Sequence, residues 1–384
     1  MNIQTQAPAV DLADRPFAQD AGESYTLPAR YYTSPAVFEA EKEAIFYRSW
    51  IYVGHQSQVA NAGEYLTAEI LDQSVFVIRA KSGELNGFYN VCQHRGHRLV
   101  EGRGKKNLVV CPYHAWSFDH DGNLRAAPRT EGVENFDKCD FALKPVQVDI
   151  FCGMIFVNLD LKAPGLREQA PGLEEEILCY APHANDMKMA EQVEYEPNAN
   201  WKVLVDNFQE CYHCSVAHKD FSELVDFSSK AYNYHSTGIY SSHCSRRTGS
   251  TDARAFKVAS NDVEGYGGWF LWPNLTIWVY PGEEQLSAMQ IIPLTPTTSR
   301  EVHDWFTKDG TVSEQVRGQM TFHKDTLQVE DIALCEGVQK GLRSKGYNQG
   351  RFVVSKTESQ VTEHGVHYFQ KMVLNALSGA GLDN

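Results

Sequence analysis

The 384-residue sequence has no long apolar segment and no excess of positive charge. No run of about 18 apolar residues occurs, so the sequence predicts no membrane-spanning helix. Lys and Arg number 35 against 49 Asp and Glu, which gives a formal net charge of −14. Such a surface repels the phosphates of nucleic acids. Internal repeats and low-complexity tracts are also missing, so we expect a globular protein with neither nucleic acid nor membrane as partner.

The cysteines and the first residues bear on where the protein works. The nine cysteines are an odd number and are scattered, unlike the paired pattern of a secreted, disulfide-stabilised protein. Residues 1–6 lack the positive charge and the apolar stretch of a secretory leader. We therefore expect a cytoplasmic protein. A hydrophobic content of 42% over 384 residues is sufficient for the cores of two domains.

Cysteine and histidine occur together in two short, loop-like segments. Cys92 is followed by His94, and Cys111 is followed by His114. Structural zinc sites usually take their Cys as one closely spaced pair and their His as another. One Cys and one His from each loop is instead typical of a Rieske [2Fe–2S] cluster, in which two His replace two Cys on one iron. A zinc site or unrelated core residues are the alternatives.

A second group of candidate ligands lies in residues 206–218. Non-haem oxygenases bind Fe(II) with two His and one carboxylate and leave other positions open. Helical residues are about 100° apart, so Glu210 and His213 share a helix face while His218 lies about 140° from it. Both imidazoles can reach one metal only if the helix distorts or ends between them. The alternative is a buried helix with two incidental histidines.

Both segments resemble the Rieske-type non-haem iron oxygenases, residues 92–116 their Rieske domain and residues 206–218 their iron motif. The resemblance covers nearly the whole chain apart from the N-terminal tail. It implies a [2Fe–2S] cluster held by Cys92, His94, Cys111 and His114. It also implies a mononuclear Fe(II) held by His213, His218 and a carboxylate from a late helix. Asp331 falls at that place, and Glu330 and Asp325 are rival carboxylates.

The order of predicted elements favours an α+β protein. Short β-type runs dominate from Trp50 to Asn158, and strands mix with helices thereafter. The resemblance implies an antiparallel β Rieske domain inserted into a helix-grip-like catalytic domain, in which a curved antiparallel sheet folds over a long helix. We expect the Rieske domain at residues 45–160 and the catalytic domain at residues 1–44 and 161–384. The helices predicted in the second part are 172–181, 201–214, 313–341 and 365–377, with strands at 268–280 and 288–294.

Glu210 separates this chain from many ring-hydroxylating members of the family. Those enzymes carry an Asp three residues before the first His, where it links that His to a Rieske His of the neighbouring subunit. A Glu there, in a segment beginning at Asn207, is similar to the branch acting on quaternary ammonium compounds, which includes glycine betaine, proline betaine and carnitine oxygenases. Glu210 and Asn207 are therefore the predicted catalytic residues. A surface or capping carboxylate is the alternative for Glu210.

Aromatic residues are concentrated between residues 266 and 280. A quaternary ammonium group has no N–H to donate, so proteins bind it mainly by cation–π contacts and shape. Strand alternation places Trp272, Trp278 and Tyr280 on one face and Trp269 on the other, if no bulge intervenes. All four are candidate substrate contacts. The alternative is that they only fill the core between sheet and helices.

The resemblance implies a terminal oxygenase that uses O₂ and electrons from a separate NAD(P)H-dependent reductase with flavin and iron–sulfur centres. The expected reaction is hydroxylation of a C–H bond next to nitrogen in a betaine-type quaternary ammonium substrate. The product then loses formaldehyde, which amounts to oxidative N-demethylation. Carnitine-type C–N cleavage and an aromatic-ring dioxygenase activity are the alternatives. Family members are rings of three, so we also expect a homotrimer.

Overall fold

The computed structural model describes residues 13–228, 230–250, 253–355 and 362–379. Residues 1–6, on which the leader prediction depends, lie outside the described residues. In the described part of the chain, no helix combines the length and the apolar character needed to cross a membrane.

The first half of the chain forms an antiparallel sheet of seven strands and a small sheet of three. The larger sheet has the order β1-β10-β9-β4-β3-β2-β5, and β6, β7 and β8 form the smaller one. Apolar runs explain the inner strands, since Val75 to Ile78 and all of Met154–Asn158 are buried. The strands are β1 Ile51–His55, β2 Glu64–Ile70, β3 Gln73–Arg79, β4 Leu85–Tyr89, β5 Arg103–Lys105, β6 Val109–Val110, β7 Ser117–Phe118, β8 Leu124–Ala126, β9 Pro145–Phe151 and β10 Met154–Asn158.

The second half contributes another seven-stranded antiparallel sheet, in the order β11-β17-β16-β15-β14-β13-β12. Its strands are β11 Lys188–Tyr195, β12 Asn233–Thr237, β13 Tyr240–Arg246, β14 Gly265–Leu271, β15 Leu275–Val279, β16 Leu286–Thr295 and β17 Thr298–Thr307. The helices are α1 Pro35–Glu41, α2 Leu166–Gln169, α3 Leu173–Tyr180, α4 Trp201–Phe208, α5 Cys214–Ala217, α6 Lys219–Leu224, α7 Glu314–Phe322, α8 Gln328–Gly341 and α9 His364–Ser378.

The second sheet has one face toward the helices and one toward the first sheet. On the helix side, Trp278 and Phe270 belong to the core that also contains Phe369 of α9. On the other side, Trp269 and Phe306 pack in one cluster with residues of β1, β10 and α3. The antiparallel sheets and the helices confirm the predicted α+β class. The domain boundaries at residues 44/45 and 160/161 stay a prediction.

Two predicted elements are wrong in extent. The helix predicted at 201–214 ends at Phe208, because the carboxylate of Glu210 accepts hydrogen bonds from the backbone N–H groups of Tyr212 and His213 and replaces helical bonding there. The strand predicted at 268–280 is the hairpin β14–β15, since the chain turns at the Trp272–Pro273 peptide and Pro has no N–H for a sheet ladder. The predicted helices at 172–181, 313–341 and 365–377 are confirmed, the second with a π-helical turn at His323–Leu327.

Candidate metal centres and substrate cavity

The two loops predicted to hold the cluster have the same backbone geometry. Gly96 N donates to Cys92 O over 3.0 Å, and Ala115 N donates to Cys111 O over 3.0 Å. Gly96 and Ala115 both have a positive φ, 70° and 58°, which closes each turn tightly. Two equal turns therefore present one Cys and one His each.

The side chains on these loops converge. The rings of His94 and His114 lie 4.6 Å apart between centroids, and His94 stacks on Trp116 at 4.7 Å. Both thiols are buried, and burial raises the pKa of Cys92 to about 11. The Nδ1 atom of His114 is buried without a hydrogen-bond partner among the described residues. A buried imidazole nitrogen with no partner, next to paired buried thiols, fits the ligand set of a Rieske cluster.

The three residues predicted to bind mononuclear iron come together at one point. His213 Nε2 lies 3.1 Å from His218 Nε2, which is 3.0 Å from Asp331 Oδ1. The third side, from His213 Nε2 to Asp331 Oδ1, measures 3.5 Å. Donors at right angles, each about 2.1 Å from a metal, are about 3 Å apart. The triangle therefore has the dimensions of three adjacent ligands on a single ion.

A break in the helix allows this arrangement. His213 immediately precedes the short helix α5, and His218 follows it, so the two imidazoles flank one helical turn. This short helix ends at Ala217, and His218 has a non-helical backbone with φ −109° and ψ 67°, which confirms the prediction that the helix distorts or ends between the two histidines. Asp331 comes from the first turn of α8. Residues distant in sequence thus meet where α5 packs near α8.

Two further carboxylates lie behind the imidazoles. Glu210 Oε1 is 2.5 Å from His213 Nδ1, and Glu330 Oε2 is 2.8 Å from His218 Nδ1. Each imidazole donates its Nδ1–H outward and so directs Nε2 at the shared point. From the sequence, Glu330 was considered only as a rival ligand to Asp331. Its place next to Asp331 did not indicate that it would accept a hydrogen bond from His218. The other rival, Asp325, is exposed.

The electrostatics of the site favour a cation. Burial raises the pKa of Asp331, but hydrogen bonds from His213 and His218 outweigh it and leave that pKa well below its usual range. Burial lowers the pKa of His213, yet Asp331 and Glu210 raise it overall to about 10. Two imidazoles among three carboxylates thus form a site that attracts positive charge.

The sulfur atom of Cys214 also lies near this point. It lies 4.0 Å from His213 Nε2, and His213, Cys214 and His218 form a compact group of possible ligands. In the structure, however, Cys214 is joined to Cys211 by a disulfide. The sulfur is then not available as a thiolate, so Asp331 is the better third donor. One local bridge between neighbouring residues is consistent with the absence of a disulfide framework.

A cavity of about 690 Å³, including the part open to solvent, adjoins the triangle. Trp278 and Tyr280 line it, but Trp269 and Trp272 do not. The expectation that these last two contact substrate is therefore corrected. Trp269 faces the other side of the sheet and donates to Glu176, while the Trp272 indole donates to Ser49. The cavity is also lined by predicted Asn207 and by residues not singled out from the sequence, Tyr266, His243, Met289, Glu301 and His323.

The unpredicted residues set the polarity of the cavity. Glu301 is 1% exposed, and burial together with the charge of Asp331 raises its pKa to about 8. Burial lowers the pKa of His243 and of His323 to about 4, so both imidazoles are neutral at neutral pH. The register of β13 to β17 brings Glu301 and His243 to the cavity, and the π-helical turn at His323–Leu327 brings His323 there. Sequence spacing therefore did not reveal these residues.

Known proteins match the chain along most of its length. A family model described as the Rieske [2Fe-2S] domain matches residues 49–137, and one described as the catalytic domain of the ring hydroxylating alpha subunit matches residues 184–379. The carnitine monooxygenase oxygenase subunit of Escherichia coli (strain K12) is 36% identical, covering 93% of this chain and 95% of its own. The chloroplastic choline monooxygenase of Beta vulgaris is 30% identical, covering 90% of this chain and 76% of its own.

Solved structures show similarity to the same group of proteins. A quaternary ammonium Rieske monooxygenase, described in connection with carnitine oxidation and inter-subunit electron transfer, has a TM-score of 0.87 at 34% identity and covers 95% of this chain and 99% of its own. Naphthalene 1,2-dioxygenase from Rhodococcus sp. has a TM-score of 0.78 at 18% identity, covers 92% of this chain and 94% of its own, and confirms the predicted fold. The chain therefore belongs to the Rieske-type non-haem iron oxygenases, with a Rieske [2Fe–2S] domain and a catalytic domain of the mononuclear iron type.

Proposed function

We propose that the protein is the terminal oxygenase that hydroxylates a C–H bond next to nitrogen in a quaternary ammonium compound. The observation that carries this proposal is an aromatic cavity that opens directly onto the triangle of His213, His218 and Asp331. The relatives at 36% and 30% identity are a carnitine and a choline monooxygenase, whose names both refer to quaternary ammonium compounds. When bound, the [2Fe–2S] cluster supplies electrons and the mononuclear iron activates O₂.

The cavity residues bind and orient the substrate. Tyr266, Trp278 and Tyr280 are buried and line one space, so their rings offer cation–π contacts to a trimethylammonium group. Tyr280 and His323 are fixed by a hydrogen bond of 2.7 Å between the phenol oxygen and Nδ1. A rigid aromatic wall holds an N-methyl group or an adjacent CH₂ in one position.

The carboxylates behind the imidazoles hold the ligands in place. Glu210 and Glu330 accept from His213 and His218, which fixes the tautomer and the direction of each ring. Asp331 is the proposed third ligand, and Asn207 lines the cavity near Glu210. In this proposal these chain residues orient the centre while the aromatic wall orients the substrate.

The position of the attacked C–H bond decides the product. Hydroxylation of an N-methyl group gives a hemiaminal that loses formaldehyde, so the net result is N-demethylation of a betaine-type substrate. Hydroxylation of a longer arm next to nitrogen breaks the C–N bond instead, as in carnitine cleavage. The relatives support both outcomes alike. An aromatic-ring dioxygenase activity has only fold-level support, because the naphthalene dioxygenase match is 18% identical.

The test is a substrate panel with the purified oxygenase and a flavin/iron–sulfur reductase. Carnitine, choline, glycine betaine, proline betaine and naphthalene are offered while O₂ consumption and formaldehyde are measured. We expect O₂ consumption coupled to product only with quaternary ammonium compounds, and formaldehyde if an N-methyl group is attacked. Asp331→Ala, which should lose the mononuclear iron, is the matched control, because any O₂ that it consumes is not used at the iron site. Turnover of naphthalene without turnover of any ammonium compound would contradict the proposal.

We also propose a homotrimer in which Glu210 links His213 to His114 of the partner subunit. Apolar side chains are exposed near both centres: Tyr113 next to His114 is 53% exposed, and Tyr212 next to His213 is 54% exposed. In the proposed assembly these two exposed rings lie at the contact between the cluster of one subunit and the iron site of the next. The similar structure described with inter-subunit electron transfer supports the same arrangement.

The remaining partner is a reductase, and the proposed location is the cytoplasm. The net charge of −14 suits docking to a basic face of a reductase that carries flavin and iron–sulfur centres. Electrons then come from NAD(P)H through that partner. Steady-state turnover that falls steeply as salt increases would support this electrostatic docking.

A further inference from the structure

We infer that Glu301 is the counter-ion of the quaternary ammonium group and makes the cavity selective for a positive charge. The inference rests on the proposed function, because it names the residue through which that site distinguishes a cation from a neutral molecule of the same shape. An aromatic wall alone binds such a group through its ring faces. A buried carboxylate in the same cavity adds a negative charge when it is ionised.

The fold places Glu301 on the wall of the cavity. It lies in β17, where it pairs with Tyr195 of β11 and Ile291 of β16. The register puts its side chain on the same face of the sheet as Trp278 of β15. Both residues line the cavity next to the iron triangle. The carboxylate and the aromatic wall therefore surround one space.

The charge of Glu301 has no cationic partner in the protein. Among the described residues, no Lys or Arg forms an ion pair with Glu301, and its hydrogen-bond partner is the neutral amide of Gln328, whose Nε2 donates to Oε2 over 2.6 Å. Burying a carboxylate without a cation is unfavourable, and burial accordingly raises the pKa of Glu301 to about 8. A cationic ligand in the cavity removes this cost.

The other charged groups of the cavity are already engaged. Asp331 accepts from His218 and pairs with His213, and Glu210 accepts from His213. None of the described lining residues is a Lys or Arg. Glu301 is thus the carboxylate left for the ligand. A substrate carboxylate meets no cationic side chain there, so the ammonium end must point inward.

A purely structural role for Glu301 makes a different prediction. The bond to Gln328 connects β17 to α8, and its function then would be to hold the helix that carries Asp331. Replacing Glu301 with Gln keeps the shape and the capacity to bond Gln328 but removes the charge. A structural role therefore predicts equal effects on charged and neutral ligands, whereas a counter-ion affects charged ligands alone.

The experiment measures ligand binding to the holoenzyme by calorimetry without O₂ at about pH 9, where Glu301, with a pKa of about 8, is ionised. The probes are choline and γ-butyrobetaine, each paired with the isostere in which carbon replaces the ammonium nitrogen. In Glu301→Gln we expect the affinity for both ammonium probes to fall by about 30-fold or more, as for loss of one partner of a buried charge pair. The affinities for the isosteres stay unchanged. Glu301→Asp, which keeps the charge, retains the preference for the ammonium probes.

Asp304→Asn is the matched control. Asp304 is equally buried in β17 but lies on the opposite face, where it accepts from Tyr52 and Gln192. Its replacement should leave unchanged the ratio between the affinity for each ammonium probe and the affinity for its neutral isostere. An unchanged visible spectrum and iron content show that each variant is folded.

Wild-type protein gives a second measurement that needs no variant. Protonation of Glu301 removes its charge, so the preference for the ammonium probes should grow from about pH 6 to about pH 9. Beyond the effect of burial, Asp331 of α8 raises the pKa of Glu301, and Glu301 in turn raises the pKa of Cys335 in α8 and of Tyr195 in β11. The inference is overturned if Glu301→Gln keeps the wild-type ratio, or if that variant does not fold and the wild-type ratio is independent of pH. Absence of ammonium binding to the wild type would instead reject the proposed function itself.

Discussion

At the residue scale, the proposed iron site consists of three inner side chains and two carboxylates behind them. His213, His218 and Asp331 have donor atoms 3.0 to 3.5 Å apart, as adjacent ligands of one ion require. Glu210 and Glu330 instead contact the outer nitrogen of each imidazole. The two kinds of carboxylate should respond differently to substitution, because one supplies a ligand atom and the other only orients a ligand.

The first prediction separates Asp331 from its neighbour. Asp331→Ala should lose the mononuclear iron and all turnover, while the visible spectrum of the Rieske cluster remains. Glu330→Gln should retain iron but bind it about 10- to 100-fold more weakly, since it removes only the acceptor for His218. Metal analysis and iron-binding titrations measure both effects. Complete loss of iron in Glu330→Gln, with iron retained in Asp331→Ala, would reverse the assignment.

The second prediction concerns Glu210, which also accepts hydrogen bonds from the backbone of Tyr212 and His213. Glu210→Gln keeps the shape of the side chain but loses the charge and one good acceptor. We expect both metal centres to stay occupied while turnover collapses, because the carboxylate is proposed to connect two imidazoles. Single-turnover oxidation of the reduced cluster measures the transfer of electrons from the cluster to the iron. Normal rates in this variant would show that Glu210 only caps the chain before α5.

The third prediction uses the raised pKa of Glu301. Its pKa is raised by burial to about 8 in the folded protein, whereas an unfolded Glu titrates near about 4.3. Between these values the folded state holds a proton that the unfolded chain has lost, so this contribution to stability decreases as pH rises. The side chain in Glu301→Gln does not titrate, so the stability of this variant does not show that decrease. Its melting temperature relative to wild type should therefore increase from about pH 5 to about pH 8 by calorimetry. A difference independent of pH would contradict the raised pKa.

At the element scale, interruptions of regular structure place the site residues. The chain leaves helical geometry between α4 and α5, so that His213 and His218 flank one turn. A π-helical turn at His323–Leu327 separates α7 from α8 and brings His323 into the cavity lining. Such turns are frequent at functional sites, because the extra residue redirects side chains. The end of α4 is also held from outside, by the start of α9.

The fourth prediction tests the contact between α9 and the end of α4. A Cβ on Gly365 would lie 2.2 Å from the backbone oxygen of Gln209, the residue before Glu210. Gly365→Ala should push α9 away, destabilise the fold by about 1–3 kcal/mol and weaken iron binding. Gly318→Ala in α7 is the matched control, since its Cβ meets only Phe256 at 3.6 Å. That helical substitution should stabilise by about 0.5–1 kcal/mol. Calorimetry and iron content distinguish the two, and equal behaviour would refute the close contact.

At the scale of the whole molecule, the two candidate centres lie in different parts of the fold. The cluster loops belong to the first half of the chain, and the iron triangle lies between the second sheet and α8. Both centres carry exposed apolar residues, which a monomer would leave in water. The proposed trimer, in which one cluster faces the iron site of the partner subunit, would cover these residues.

The fifth prediction tests this assembly with two inactive variants. Cys111→Ser should lose the cluster and its colour, and His213→Ala should lose the mononuclear iron. Mixed in one assembly, some trimers then place an intact cluster against an intact iron site of the partner subunit. We expect partial recovery of turnover in the mixture and none in either variant alone. No recovery despite mixing confirmed by mass spectrometry, or full activity of a monomer, would disprove transfer between subunits.

The sequence by itself determined the family, the cofactors and the candidate ligands. Closely spaced motifs carry that information, because Cys92 with His94 and Cys111 with His114 lie on single loops whose chemistry is local. Most helices were also predictable from local periodicity and caps. Local patterns failed where a side chain or a proline overrode them, at Glu210 and at Pro273.

Only the tertiary structure decided which aromatic residues and which carboxylates meet. Trp278 faces the cavity and Trp269 the opposite side because the β14–β15 register fixes their faces, and the turn at Trp272 removes that residue from both strands. Glu330 and Glu301 acquire their places through packing of α8 on α4 and through pairing of β17 with its neighbours. Charge and polarity in the cavity depend on groups far apart in sequence. The spacing of these groups along the chain does not predict the charge and polarity of the cavity, because the groups become buried and come into contact only when the sheet packs against the helices.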